Sequence, residues 1–140
     1  MNMKLKFREK YFCGFVMTVN NINKEELLGL FETFSTRVKM LPRQQRALVK
    51  LFLSNGTYSS IAKAAQLNAA TIARRLKRIA NRMSSDNFIA ALLQVDGMPA
   101  EKMRIIRDYF VNGLSINAIA KNAGLSRYEV KKIIRQGKYL

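Results

Sequence analysis

Residues 41–79, LPRQQRALVKLFLSNGTYSSIAKAAQLNAATIARRLKRI, and residues 98–134, MPAEKMRIIRDYFVNGLSINAIAKNAGLSRYEVKKII, carry one pattern twice. Each copy opens with an apolar residue and a proline, then runs through a helical stretch to Asn-Gly. Ile-Ala follows, then a small turn and a second helix that is apolar on one side and basic on the others. Asn55-Gly56 answers Asn112-Gly113, Ile61-Ala62 answers Ile119-Ala120, and Ile72 answers Val130. The repeat distance is 57 residues before the Asn-Gly and 58 after it, so the copies differ by one residue of loop. A short helix bracing a longer one across a tight turn is the plan of a helix-turn-helix, whose second helix enters the major groove of DNA.

The spacing supplies what such a unit needs. Where the two helices cross, the residue must be small, and Ala62 and Ala120 stand there. Ile61, Ala65, Leu67, Ile72 and Leu76 are expected to pin the first pair to its body, as Ile119, Ala123, Leu125, Val130 and Ile134 do for the second. The turn commonly requires a positive φ, which glycine adopts cheaply. The second copy has Gly124 at that point. The first has Gln66, a departure that costs about 1 kcal/mol.

Working outward, Pro42 fits the first turn of a helix, because its missing N–H would be unpaired there anyway. Ala47, Leu48, Leu51 and Phe52 form the expected buried stripe of that helix, and Asn55-Gly56 its stop. Ser59 or Ser60 caps the short helix, and Ile72, Leu76, Ile79 and Met83 share one side of the longer one. Upstream, Asn23 with Glu26 three residues on predicts a capping box. Leu27, Leu30, Phe31, Phe34 and Val38 then predict one helix running to Lys39. Downstream, Ser84, Ser85 and Asp86 offer caps for a connecting helix over 87–94, with Phe88, Leu92 and Val95 on a face and Asp96-Gly97 at its end. Residues 5–19 permit a short strand or hairpin, or equally an extended basic arm.

The expected fold is therefore all-α, with two helix-turn-helix units of the three-helix type, a helical connector and an irregular or short β N-terminal segment. The corresponding divisions are an arm or strand segment over 1–22, a first domain over 23–83, a connector over 84–97 and a second domain over 98–140.

The charge names the class of partner. The 140 residues hold 25 Lys and Arg against 9 Asp and Glu, a net charge of +16. Residues 33–85 contain eleven cations and no carboxylate, and from Gly97 onward nine cations face three anions. The first 32 residues nearly balance, five against four. Such segregation points to a polyanion. With no His and a single cysteine, Cys13, imidazole catalysis, His-ligated metal sites and an intrachain disulfide are excluded. The nine acids show no nucleophile–base pairing or metal-ligand spacing, so no enzyme, cofactor or metal is expected. Residues 1–19 combine cations with a short apolar run but lack a small-residue cleavage site. No stretch is long enough to cross a bilayer. A cytoplasmic, nucleoid-associated protein with no membrane partner is the expectation.

The residues left facing outward are the predicted readers. In the first unit they are Asn68, Ala69, Ala70, Ala73, Arg74 and Lys77. In the second they are Ser126, Arg127, Tyr128, Lys131, Lys132 and Arg135. Arg74 and Arg127 suit bidentate contacts with guanine, and Asn68 with adenine. Most other cations are expected on phosphates, where they carry no sequence information.

Residues 41–80 resemble the promoter-reading C-terminal domain, region four, of bacterial sigma factors. The resemblance rests on Leu41-Pro42 with Gln45-Arg46, on Ile61-Ala62, and on Ala70-Thr71-Ile72 through Arg75-Leu76 and Arg78. It implies that Ala69, Ala70, Ala73, Arg74 and Lys77 face the groove, with Thr71 and Arg75 nearer the backbone; Arg78 completes the set. Residues 114–134 are similar to the helix-turn-helix of recombinases and transposases, in which a turn like Gly124-Leu125-Ser126-Arg127 is frequent. The expected function is sequence-specific binding of double-stranded DNA, as a transcription regulator engaging a bipartite site. Two alternatives stand beside it. One is a protein-interaction adaptor, for example with RNA polymerase, for which the alanines at 69, 70 and 73 speak. The other is the DNA-binding subunit of a transposase or recombinase system.

Overall fold

The computed structural model describes residues 22–54, 56–93 and 97–138. The strand-or-arm reading of the N-terminal segment, Cys13, Asn55 and the pair Val95-Asp96 lie outside the described residues. Among those described, nine helices and no strand are present, and the chain divides into two compact units, residues 1–84 and 85–140.

The first unit begins with α1 (Lys24–Thr33). The Asn23 side chain accepts from the Glu26 N–H at 2.8 Å while the Glu26 carboxylate accepts from the Asn23 N–H at 3.4 Å, the expected reciprocal cap. The helix does not run to Lys39 unbroken. The Thr33 hydroxyl donates to the Gly29 carbonyl at 2.8 Å, a back-bond that bends helices, and Phe34 leaves helical geometry at φ −99°, ψ 33°. A single helical turn, α2 (Ser35–Val38), then follows. Arg37 lies 4.5 Å from the centre of the Phe34 ring and donates to the Met83 carbonyl at 2.8 Å, closing the end of a later helix.

Next come α3 (Arg43–Leu53), α4 (Tyr58–Ala65) and α5 (Ala69–Met83). Pro42 sits one residue before the first helical position, at φ −54° and ψ 152°, and its carbonyl accepts the first helical bond from Arg46 at 2.9 Å. The buried stripe of α3 is rotated from the expected one. Val49 and Phe52 are buried, whereas Ala47 is exposed and Leu51 is 51% exposed. The aromatic packing accounts for the rotation: Phe52 meets the edge of Phe31 at 6.1 Å and stacks on Tyr58 at 5.6 Å, fixing which side of α3 faces inward. The cap of α4 is Thr57, not Ser59 or Ser60. Thr57 Oγ1 accepts from the Ser60 N–H at 3.1 Å, and Ser60 Oγ accepts from the Thr57 N–H at 3.0 Å.

Gly56 is where α3 must turn back sharply. A methyl group there would lie 2.6 Å from the Leu51 carbonyl oxygen and 3.0 Å from Ile61, so only glycine allows the approach. Around α5 the core closes on Leu27, Leu30, Phe31, Ile72, Leu76 and Met83, all fully buried. Each side chain of this size contributes about 1.5–3 kcal/mol by leaving water.

The second unit contains α6 (Asp86–Leu92), α7 (Ala100–Phe110), α8 (Ile116–Ala123) and α9 (Arg127–Gly137). The helix expected over 87–94 corresponds to α6, which falls within this unit. Phe88 and Ala91 bury its inner face, and Arg107 of α7 donates to the Ala91 and Leu92 carbonyls at 3.1 and 3.5 Å. Those bonds satisfy carbonyls that the end of α6 leaves without intrahelical partners. Pro99 repeats the role of Pro42, with its carbonyl receiving Met103 N–H at 3.1 Å. Ile105, Ile106, Ile119, Val130 and Ile134 fill the core. α9 approaches α7 through Gly137, whose added methyl would sit 3.0–3.1 Å from Ile106.

Candidate nucleic-acid interface

The turn between α4 and α5 and the turn between α8 and α9 have the same construction. Gln66 takes the left-handed conformation, φ 57° and ψ 40°, and Gly124 takes it at φ 67° and ψ 29°. Gln66 is the only non-glycine residue with positive φ among those described, at the position where the repeat puts a glycine in its partner. The residue after each donates back over five positions, Leu67 to the Ala62 carbonyl at 2.9 Å and Leu125 to the Ala120 carbonyl at 3.0 Å. This six-to-one bond ends a helix in a tight left-handed turn. Ala62 and Ala120 are buried, 4% and 7% exposed. Of the pinning residues expected in the first copy, Ile61, Ile72 and Leu76 are buried and Leu67 is half-buried, but Ala65 is exposed.

One residue further on, each long helix is capped. Asn68 Oδ1 accepts from the Thr71 N–H and from the Thr71 hydroxyl, both at 2.8 Å. Ser126 Oγ accepts from the Glu129 N–H at 3.2 Å, and the Glu129 carboxylate accepts from the Ser126 N–H at 2.9 Å. Asn68 is thereby committed to helix initiation. A bidentate pair with adenine needs both its amide oxygen and nitrogen, and the oxygen already receives two donors. Thr71 is engaged on both sides as well, since its hydroxyl also accepts from Arg74 at 3.4 Å.

The buried residues of α5, namely Ile72, Leu76, Ile79, Ala80 and Met83, define its inner side. At helical spacing the opposite side carries Ala70, Arg74, Lys77 and Asn81. Ala70, Arg74 and Asn81 are exposed and Lys77 is half-buried. On α9, Val130, Ile134 and Gly137 are buried, and the opposite side carries Tyr128, Lys132 and Arg135, all exposed. Tyr128, Lys132 and Arg135 stand 58 residues after Ala70, Arg74 and Lys77, so the two outward stripes coincide position by position. Arg127 and Lys131 flank the second stripe and are exposed, while their counterparts Ala69 and Ala73 are half-buried. Asn81, which adds a polar group to the first stripe, was not among the expected readers. It carries no charge and lies well beyond the turn, so neither charge nor repeat marked it.

Arg75 and Arg78 divide from this stripe. Both line a cleft of about 290 Å³ between α3 and α5, together with Gln44, Gln45, Leu48, Ile79 and Arg82. Arg82 donates to the Gln45 side-chain carbonyl, and burial lowers its pKa from the ordinary arginine value. Several cations are therefore structural: Arg37 and Arg107 close helix ends, and Arg46 donates to the Lys39 carbonyl at 3.2 Å. Among the described residues no group of three His, Cys, Asp or Glu is placed to hold a metal ion, and no helix is long and apolar enough to cross a membrane. No family model, no curated protein and no solved structure matches the chain.

Proposed function

We propose that the chain binds double-stranded DNA as a sequence-specific regulator of transcription, using the two long helices α5 and α9 as the reading helices of two helix-turn-helix units. The observation that carries the reading is the coincidence of the two outward stripes at an offset of 58 residues, each following the same left-handed turn and side-chain cap. A turn of that kind holds the second helix off the first, leaving its outer side and N-terminal end open to a groove. The charge supports it: residues 33–85, which include all of α5, hold eleven cations and no carboxylate.

The units differ in what they offer. In α9, Arg127, Tyr128, Lys131 and Lys132 are long exposed side chains, capable of hydrogen bonds or apolar contact with base edges. In α5, Ala69, Ala70 and Ala73 bring only methyl groups. We assign most base discrimination to the second unit and most phosphate grip to the first. A second reading is favoured by those alanines: the first unit docks a protein such as RNA polymerase while the second holds DNA.

The test is duplex binding as a function of salt, after selection of a preferred sequence from a random pool. With roughly 6–10 phosphates neutralised, affinity falls about 10³–10⁵-fold between roughly 50 and 200 mM salt. An affinity flat across that range refutes the proposal. Capture of a protein partner that heparin and unlabelled duplex leave undisturbed favours the adaptor.

A further inference from the structure

The cleft between α3 and α5 gathers cations on a side of α5 apart from its outward stripe. Arg75, Arg78, Ile79 and Arg82 follow at i, i+3, i+4 and i+7, a single stripe of α5 turned toward α3. Gln44, Gln45 and Leu48 face them from one turn of α3. Three guanidinium groups thus line one concavity of about 290 Å³ whose lining contains no carboxylate. Like charges gathered on one side of a helix repel one another, and an anion seated among them removes that cost. Leu48 and Ile79 give the cleft an apolar floor.

We infer that this cleft binds the phosphate of a small molecule, with the Arg75 and Arg78 guanidinium forks and the Gln44 amide on its oxygens, and with Arg82 held in place by Gln45. Guanidinium forks donate two parallel hydrogen bonds to an oxyanion, and a tetrahedral phosphate presents enough oxygens to engage more than one fork. A lone planar carboxylate presents two. The source of the phosphate follows from position along the helix. Reading helices meet base edges with their N-terminal residues; Arg75 and Arg78 lie 6 and 9 residues, about 9 and 14 Å, beyond Ala69, and Arg82 lies 13 residues, about 20 Å, beyond it. The cleft therefore starts past the first turn of α5 and runs away from the end that enters a groove. A phosphate or pyrophosphate group carried by a free molecule suits it better than the DNA backbone.

The experiment is a titration of the full chain with inorganic pyrophosphate, followed by backbone amide resonances. Saturable shifts confined to residues 44–48 and 75–82 are expected. R75Q and R78Q, which alter exposed side chains, should each weaken binding about tenfold, and R75K should weaken it less. K121Q, an exposed cation of the second unit, should leave it unchanged; the amide spectra of the variants themselves report that each is folded. Shifts spread over all the cations without saturation, or equal effects of R75Q and K121Q, would overturn the inference. A repeat with saturating duplex separates the sources. Pyrophosphate that stays bound beside the duplex is the expected result, and displacement would give the cleft to the DNA backbone and reject a free ligand. Should no duplex bind under any condition, the DNA reading fails while the pyrophosphate titration still decides the cleft.

Discussion

Replacing Gln66 by glycine is expected to stabilise the first unit. Gln66 holds φ 57° and ψ 40°, where the Cβ of an L-residue crowds the following carbonyl at a cost of roughly 1–2 kcal/mol. Glycine escapes that crowding but gives up more backbone entropy on folding, which offsets roughly 0.5–1 kcal/mol. The net gain is about 0.5–1 kcal/mol, or a two- to five-fold shift in the folding equilibrium. Nothing else should change, because the Gln66 side chain is exposed. The reverse experiment exists in the same molecule. Gly124 sits at φ 67°, and a methyl added there would meet no atom within 4 Å, so Gly124→Gln should destabilise the second unit by a similar amount from backbone strain alone. The assay is urea unfolding followed by amide resonance intensities, which report each unit separately. If Gln66→Gly lowers the stability of the first unit, or if Gly124→Gln costs nothing, the left-handed turn is not the strained element this reasoning makes it.

Gly56→Ala should destabilise the first unit by about 1–3 kcal/mol, since the new methyl would stand 2.6 Å from the Leu51 carbonyl oxygen; an unchanged urea midpoint would show that α3 ends less tightly. The Tyr58 phenol is held above its ordinary pKa of 10.0 by burial. The unfolded chain therefore ionises first, so the contribution of Tyr58 is intact below pH 10 and is lost as pH rises through the folded value. Tyr58→Phe should remove that part of the alkaline loss of stability, and a variant with the same alkaline profile as the parent chain contradicts it. On a selected duplex, Arg127→Ala should cost about 1–3 kcal/mol and relax preference at one base pair, whereas Lys50→Ala should weaken all sequences alike. Uniform losses from both would make α9 a phosphate grip.

Most of the secondary structure and both turns could be read from the residues alone, because they depend on neighbours a few positions away. The 57- and 58-residue repeat located both helix pairs, and the cap at Asn23 with Glu26 was legible from spacing. The strained turn was legible as well, since Gln66 occupies the position that Gly124 holds in the other copy. Side-chain commitment was not legible. By residue type Asn68 is a base reader, yet its carbonyl caps α5, a competition between local hydrogen bonds that residue type does not resolve. Which side of each helix turns inward is a matter of packing between elements distant in sequence. Hydrophobicity placed Phe52 inward correctly and allowed α3 to bury Leu51 beside it, but the packing of Phe52 against Phe31 and Tyr58 set the side that brings in Val49 instead of Leu51. The same packing of α3 against α5 turned Arg75 and Arg78 into a cleft with Arg82, because a helix stripe acquires a meaning only once another helix lies along it.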